Sequence, residues 1–214
     1  MWPCKYNFII FKNIGKTFDG APKVCYNEIS LKSDIVRSPA GAGECEVIMI
    51  ILGIDPGLAI VGWGVVEQRG GRFRTLGYGS IQTPAGLATE ERLSRIYDEL
   101  TALIKRYKPE QMAVEELFFT NNITTGIRVA EARGVVLLCG EQNGVRIFEY
   151  TPMQVKQAVV GYGKAEKKQV IAMVTSILGL KEPPKPDDTA DALAIAVCHG
   201  HTGGSLLAPY FNRK

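Results

Sequence analysis

Ile51-Leu-Gly-Ile-Asp-Pro-Gly-Leu58, entered through Val47-Ile-Met-Ile50, is the stretch whose reading decides the fold. Nearly every residue from Val47 to Ile54 is apolar, and most are β-branched. The run is too short to cross a membrane, which takes about 20 residues. β-Branching favours a strand, and the lack of polar alternation predicts one buried on both faces. Asp55 stands where that strand ends, and Pro56-Gly57 turns the chain away. A carboxylate at the exit of a central strand faces a cleft, where an unpaired charge is costly. A metal cation is the partner that best answers it. An isolated Asp-Pro-Gly is also an ordinary turn, so the surrounding chain has to decide between the two.

Working outward, Val61-Gly-Trp-Gly-Val-Val-Glu67 reads as a second strand with glycines at alternate places. Gly70-Gly71 makes a hairpin turn, and Arg72 to Thr83 returns as a third strand carrying Phe73, Leu76, Tyr78 and Ile81. The acid-bearing strand therefore opens an antiparallel meander. Leu93, Ile96, Tyr97, Leu100, Leu103, Ile104 and Tyr107 then mark one face of a helix starting near Thr89 and stopped by Pro109. Arg92, Arg95, Lys105 and Arg106 are expected on its solvated face. Met112-Ala-Val-Glu-Glu116 is a short buried strand with a second acid, Glu115, at its exit.

Leu117-Phe-Phe119 and Thr120-Asn-Asn122 form the next loop. Ile127 to Gln142 is mostly helical, and its small residues Ala130, Ala132 and Gly134 suit close approach by another helix, either in packing or across a subunit interface. Val145 to Tyr150 is a fifth strand, and Pro152 begins a short helix containing Lys156. Val159 to Lys164 is a glycine loop but not a P-loop, because Ala158 and Ala165 stand where Gly and Ser/Thr are required. A helix follows from about Ala165 to Leu178, and Pro183, Pro184 and Pro186 form a stiff spacer. The last helix opens with Asp187-Asp-Thr-Ala-Asp-Ala-Leu-Ala194. Asp187 can cap it, and Asp188 and Asp191 share one face at i, i+3. Its small residues Thr189, Ala190, Ala192 and Ala194 would let it lie close against a sheet.

Composition sets the outer limits. A chain of 214 residues that is 46% hydrophobic is an ordinary globular one, long enough for one α/β domain with an appendage. The formal charge of +3 is too mild to announce nucleic acid by itself. From Met49 onward there are 19 Lys and Arg against 17 Asp and Glu. If four of those acids share one site, 13 are left and the remaining surface carries +6, a basic rim around an acidic pocket. Five cysteines without a CxxC pair argue against a disulfide framework and against a zinc site; Cys139 and Cys198 are expected to be small core residues. The apolar run Phe8 to Phe11 is too short for a secretory signal, so a reducing cytoplasm is the expected location. Residues 1–48 lack periodicity and end in Ser38-Pro-Ala-Gly-Ala-Gly43. They are expected to be a non-native or disordered extension, with the native start at Met49 and the folded domain over 49–214; a short ordered extension is the alternative.

Asp55, Glu115, Asp188 and Asp191 together form a hard all-oxygen donor set, suited to Mg²⁺ or Mn²⁺ over zinc. Crowded without metal they would repel and raise some of their pKa values. Two divalent cations would offset that charge and clamp the attacking and leaving oxygens of a phosphoryl displacement.

Gly53-Ile-Asp-Pro-Gly57, Val114-Glu-Glu-Leu-Phe118, Ala132-Arg-Gly134, Val155-Lys-Gln157, Ala165-Glu-Lys167 and Asp188-Thr-Ala-Asp-Ala-Leu-Ala194 resemble the motifs of the RuvC crossover-junction endodeoxyribonucleases, in order and spacing over about Met49 to Gly200. The resemblance implies an α/β, ribonuclease H-like fold with a mixed five-stranded sheet flanked by helices. It also implies a homodimer and paired incisions of four-way DNA junctions that leave 5′-phosphate and 3′-hydroxyl ends, in recombination and repair. By the same resemblance Asp55, Glu115, Asp188 and Asp191 are catalytic metal ligands, holding two Mg²⁺ with Mn²⁺ as a substitute. Phe118 matches an aromatic residue that stacks on junction bases, and Lys156 and Lys167 match basic residues near the scissile backbone. Lys164 and Arg128 are assigned to the same DNA-binding set. A branch-migration helicase complex of the RuvA–RuvB type is the implied protein partner, and no membrane is. His199 and His201 lie beyond the motif and are expected to be helix-end residues.

Three other readings compete. A phosphotransferase or ATPase lobe of the actin and sugar-kinase type also begins with a strand and Gly-x-Asp-x-Gly, but it needs two related lobes. A junction-binding module without catalysis would not need all four acids. A related nuclease could act on another structured nucleic acid.

Overall fold

The computed structural model of the chain describes residues 10–12, 28–30, 48–117 and 123–203. The chain divides into two units, Met1–Cys45 and Glu46–Lys214. Among its described residues the first unit holds two short antiparallel strands, β1 (Ile10–Lys12) and β2 (Glu28–Ser30), with Ile10 opposite Ser30.

In the second unit the stretch that opens the sequence argument is the middle strand of a five-stranded sheet. β3 (Ile48–Asp55) pairs antiparallel with β4 (Ile60–Arg69), which pairs antiparallel with β5 (Arg72–Gln82). On its other side β3 pairs parallel with β6 (Gln111–Glu115), and β6 with β7 (Arg146–Tyr150), giving the order β5-β4-β3-β6-β7. Gly70 and Gly71 both have positive φ, 53° and 77°, as a two-residue hairpin joining right-twisted strands requires. Five helices complete the unit: α1 (Thr89–Tyr107), α2 (Ile123–Gln142), α3 (Pro152–Val160), α4 (Lys167–Ile177) and α5 (Asp187–Gly203).

The unbroken apolar run of β3 serves two cores. Ile51 packs on one face with Val155, Val170 and Leu193 from α3, α4 and α5. Leu52 and Ile54 pack on the other with Ile96 and Leu100 of α1 and Ala132 and Val136 of α2. Cys139 and Cys198 are free and buried, one in each core.

Helix α5 is buried from Ala192 to Gly200, and small residues on both partners make that possible. A Cβ on Gly53 would lie 2.1 Å from the Ala192 carbonyl oxygen, and one on Gly62 would lie 2.0 Å from that of Asp188. The alternate glycines of β4 are thus the seat of the helix. Alanine at either position would force helix and sheet apart, a kind of overpacking that costs about 1–3 kcal/mol.

Four local expectations change. Arg92 is buried: its guanidinium donates to the hydroxyl and carbonyl oxygens of Thr83, at 2.9 and 3.4 Å, tying α1 to the end of β5. Helix α2 begins at Ile123, earlier than the apolar periodicity suggested. Among the described residues a Cβ on Gly134 would meet nothing within 4 Å, so that glycine serves no close approach by another described element. Asp187 lies inside the first turn of α5 and is ion-paired with Lys167 at 3.7 Å; it does not stand before the helix as its cap.

Candidate active site

Strand register brings the first two acids side by side. Ile54 is the parallel partner of Val114, so Asp55 and Glu115 leave adjacent strands at the same level, about 4.8 Å apart in the backbone. Gly62 sets the third. It is the antiparallel partner of Asp55, and the carbonyl of Asp188 rests on it. The first turn of α5 is thereby laid over the strand next to Asp55. Asp191 follows one turn later, on the cleft side of the helix.

The electrostatics record this convergence. Burial pushes the carboxyl of Asp55 up to about 8, with further increases from the charges of Glu115, Asp191 and Asp188. Burial, then Asp191, pushes Glu115 up to about 7. Burial also raises Asp191, against the pull of the Lys167 ammonium. The Lys167 Nζ donates to Asp191 Oδ2 at 2.8 Å. Burial lowers that ammonium, but the hydrogen bond and the charges of Asp191, Asp187 and Asp188 outweigh it and raise it. Lys156 also pulls Glu115 down, but two lysines cannot neutralise four carboxylates. The remaining charge is what a hard divalent cation would answer, and an all-oxygen donor set fits Mg²⁺ or Mn²⁺. Among the described residues no three His, Cys, Asp or Glu side chains close on one point; the four acids share a neighbourhood into which a cation would draw them.

A cleft of about 160 Å³ opens beside them. Its polar lining is Glu115, Lys156, Lys167 and Asp191, and its apolar floor includes Pro152, Val155 and Val170. Thr151 caps α3 by accepting from the Gln154 N–H at 3.2 Å, which fixes the helix that carries Lys156. Lys164 is exposed on the loop after α3, and Arg128 is exposed on α2 and does not line the cleft. Phe118 lies outside the described residues.

Two features went unread in the sequence. Arg133 of α2 donates from Nε to the carbonyl oxygen of Glu115 at 3.3 Å and pairs with Glu149 of β7 at 2.7 Å. Its side chain is 17% exposed, so it holds the backbone of Glu115 from behind. The second is His199, which is fully buried and no mere helix-end residue. Its Nδ1 is 2.7 Å from the Tyr150 hydroxyl, and its Nε2 is bonded to Gln111 Oε1. The Thr202 hydroxyl reaches Tyr150 at 3.0 Å. Protons can run one way along this chain, from Thr202 to Tyr150 to His199 to Gln111, leaving each member satisfied. Gln111 begins the strand that ends in Glu115, so the network locks α5 to β6. His201 is exposed, beside the Ala158 carbonyl and edge-on to Phe73.

The family model for crossover junction endodeoxyribonuclease RuvC matches residues 51–199. The crossover junction endodeoxyribonuclease RuvC of Alkaliphilus oremlandii is 56% identical over 155 residues, 72% of this chain and 94% of its own. The solved structure of Thermus thermophilus RuvC in complex with Holliday junction substrate superposes with a TM-score of 0.70 at 42% identity, covering 72% of this chain and 94% of that one. The yeast mitochondrial Holliday junction resolvase Ydc2 shares the fold alone, with a TM-score of 0.52 at 14% identity, covering 71% of this chain and 78% of its own. The chain therefore has a ribonuclease H-like fold and belongs to the RuvC family of crossover junction endodeoxyribonucleases.

Proposed function

We propose that this protein resolves four-way DNA junctions by paired, metal-dependent hydrolysis of two phosphodiesters, leaving 5′-phosphate and 3′-hydroxyl ends, in recombination and repair. The observation that carries the reading is the meeting of Asp55, Glu115, Asp188 and Asp191 beside a lysine-lined cleft. The four carboxylates are the residues that would hold the metal, two Mg²⁺ per site with Mn²⁺ as a substitute. Bound there, the metal supplies Lewis acidity toward the phosphate and a water of lowered pKa. The protein's own side chains do the rest. Lys156 and Lys167 neutralise the phosphates of the strand lying in the cleft, and Lys167, with three N–H donors, can do so from its place beside Asp191. Arg133 holds Glu115 in place. Phe118 is assigned to stacking on junction bases, and Lys164 and Arg128 to the flanking backbone.

Two cuts on opposite strands call for two sites. Ile127 and Leu138 are large apolar side chains exposed on α2, and with Gly134 open between them this helix is the face on which a second copy docks. A RuvA–RuvB type helicase complex is the expected partner in the cell, with the cytoplasm as location. No helix among the described residues is long and apolar enough to cross a membrane.

The test is incubation of the full chain with a labelled four-way junction, a linear duplex and an RNA–DNA hybrid, with and without Mg²⁺. Symmetric nicks in the junction alone, dependent on Mg²⁺, are expected. Preference for the hybrid would overturn the reading.

A further inference from the structure

We infer that Tyr162 and Met153 form a base-stacking surface on the rim of the cleft, which takes an unpaired base from the DNA strand led past the carboxylates by Lys156 and Lys167. The inference rests on the nucleic-acid reading above and extends it to residues outside the four-acid site.

Tyr162 is 45% exposed and Met153 67% exposed, and neither belongs to the two cores. Apolar side chains scattered singly on a surface need no explanation, but here the loop that carries Tyr162 rests on Met153. A Cβ on Gly163 would lie 2.6 Å from Met153 Cγ, so the loop after α3 rests on the Met153 side chain, and Tyr162 is the residue next to that contact. Met153 in turn follows Pro152, which lines the cleft. Met153 is thus next in sequence to a residue of the cleft lining, and the loop that carries Tyr162 packs on it.

The tyrosine is held in place. Its hydroxyl donates to Gln169 Oε1 at 2.6 Å, and the same oxygen accepts the Glu166 N–H at 2.8 Å at the start of α4. On the other side Gly161 adopts φ 94° as the C-cap of α3, and its carbonyl accepts from Gln157 Nε2 at 2.6 Å. An aromatic ring exposed to solvent but tethered through its hydroxyl loses little freedom when something stacks on it, which favours binding.

Charge identifies the occupant. From Lys156 to Lys168 the chain carries Lys156, Lys164, Lys167 and Lys168 and one acid, Glu166. Aromatic and sulfur-bearing side chains set among lysines match a nucleotide, whose base stacks while its phosphate is neutralised. At the crossover point of a four-way junction the base stack is interrupted, so bases there are the ones most readily drawn onto such side chains.

The experiment measures binding of the full chain to a labelled four-way junction by anisotropy in EDTA, at a low and a high salt concentration. Tyr162→Ala is expected to weaken binding about 5- to 150-fold, the range for one stacked base. That factor is expected to be the same at both salts, whereas the loss in Lys164→Ala shrinks as salt rises. Tyr162→Trp is expected to bind at least as tightly as wild type, and Met153→Ala to lose a smaller factor. The inference falls if Tyr162→Ala binds within twofold of wild type, which would give the patch to a protein partner. It also falls if Tyr162→Trp is as weak as Tyr162→Ala, which would make the tyrosine a structural residue. Wild-type protein that neither binds nor cuts the junction overturns the proposed function, and this inference with it; wild type that does both, alongside an unaffected Tyr162→Ala, overturns this inference alone.

Discussion

Helix α5 presses polar side chains against the sheet at both of its ends, and the two ends settle their charge in opposite ways. In its second half His199 is fully buried, yet each ring nitrogen has a partner, and burial holds the imidazole neutral by pushing it down to about 4. In its first two turns Asp188 and Asp191 join Asp55 and Glu115, where burial and mutual repulsion push carboxyls up to about 7 and 8. Lys167 satisfies Asp191, and the charge of Lys156 reaches Glu115, but two ammonium groups do not balance four carboxylates. A satisfied buried network stabilises and specifies a core. A cluster left with excess charge costs stability, and it persists where a ligand is to answer it. The same helix thus anchors the fold at one end and holds the strain of the candidate site at the other.

The sharpest way to break this contrast is to neutralise the strained end. Asp55→Asn keeps the shape and removes one charge. Mg²⁺-dependent junction cutting is expected to fall by about 10²–10⁴-fold, the scale of losing one positioned catalytic group, while junction binding in EDTA persists. The same substitution is expected to raise the melting temperature of the metal-free protein at pH 8, because it relieves repulsion that folding has to overcome. A variant that loses cutting and also melts lower would show that Asp55 is a structural residue and not a strained one.

The strained end was largely legible in the sequence and the satisfied end was not. Asp55 and Glu115 each follow an apolar run at a turn, and Asp188 and Asp191 share a helix face, so local spacing alone marked them. The five strands were legible for the same reason, since Val, Ile and Gly are punctuated by Gly-Gly and Pro. What joins these parts is non-local. His199 meets Gln111 across 88 residues and Tyr150 across 49, and no periodicity records such a pairing. Arg92 carries a charge at a position of α1 where the apolar stripe predicted solvent, and Thr83 answers it. Gly62 reads in the sequence only as one of two alternate glycines in a strand, and its purpose needs the register Asp55↔Gly62 and the placement of α5.

Arg133 tests whether the acids need holding as well as gathering. Its bond to the Glu115 carbonyl acts on the backbone, so Arg133→Met is expected to lower kcat by about 10–100-fold, as loss of a supporting partner does at metal sites. Half-maximal Mg²⁺ should rise while the Kd for the junction stays put. Arg133→Lys, which keeps the charge but not the planar fork, should recover only part of the loss. Equal losses of affinity and rate would instead place Arg133 on the DNA.

The satisfied end is broken by His199→Leu. That change leaves the Tyr150 hydroxyl and the Gln111 amide short of a buried partner, at about 1–3 kcal/mol. For a domain of this size the melting temperature should drop by about 2–4 °C per kcal/mol. Cutting rates measured below that temperature should be little changed, since the histidine touches neither the cleft nor the four acids. A large fall in rate without a fall in stability would move His199 into the catalytic machinery.

pH separates the two ends with the smallest effects and no change of fold. The carboxyl of Asp55 sits at about 8 in the folded protein against an ordinary 3.8, and Glu115 at about 7 against 4.5. The fold therefore holds protons that the unfolded chain has released, so this contribution to stability is full at acid pH and is lost as pH rises toward 8. His199 has the opposite sign. At about 4 against 6.5, its contribution is full above pH 6.5 and is lost as pH falls toward 4. Between these values the two slopes oppose each other, and above pH 6.5 only the carboxylates act. In EDTA at constant ionic strength, the melting temperature of the wild type should therefore decline from pH 6.5 to 8. Asp55→Asn should flatten that limb, and His199→Leu should leave it intact while removing part of the acid-side loss. Mg²⁺ at pH 8 should reverse the decline, because a cation answers the same charge that protons answer at lower pH. A melting temperature that stays level from pH 6.5 to 8 in EDTA would mean that the four acids are solvated independently, and the division of α5 into a satisfied and a strained end would fail with it.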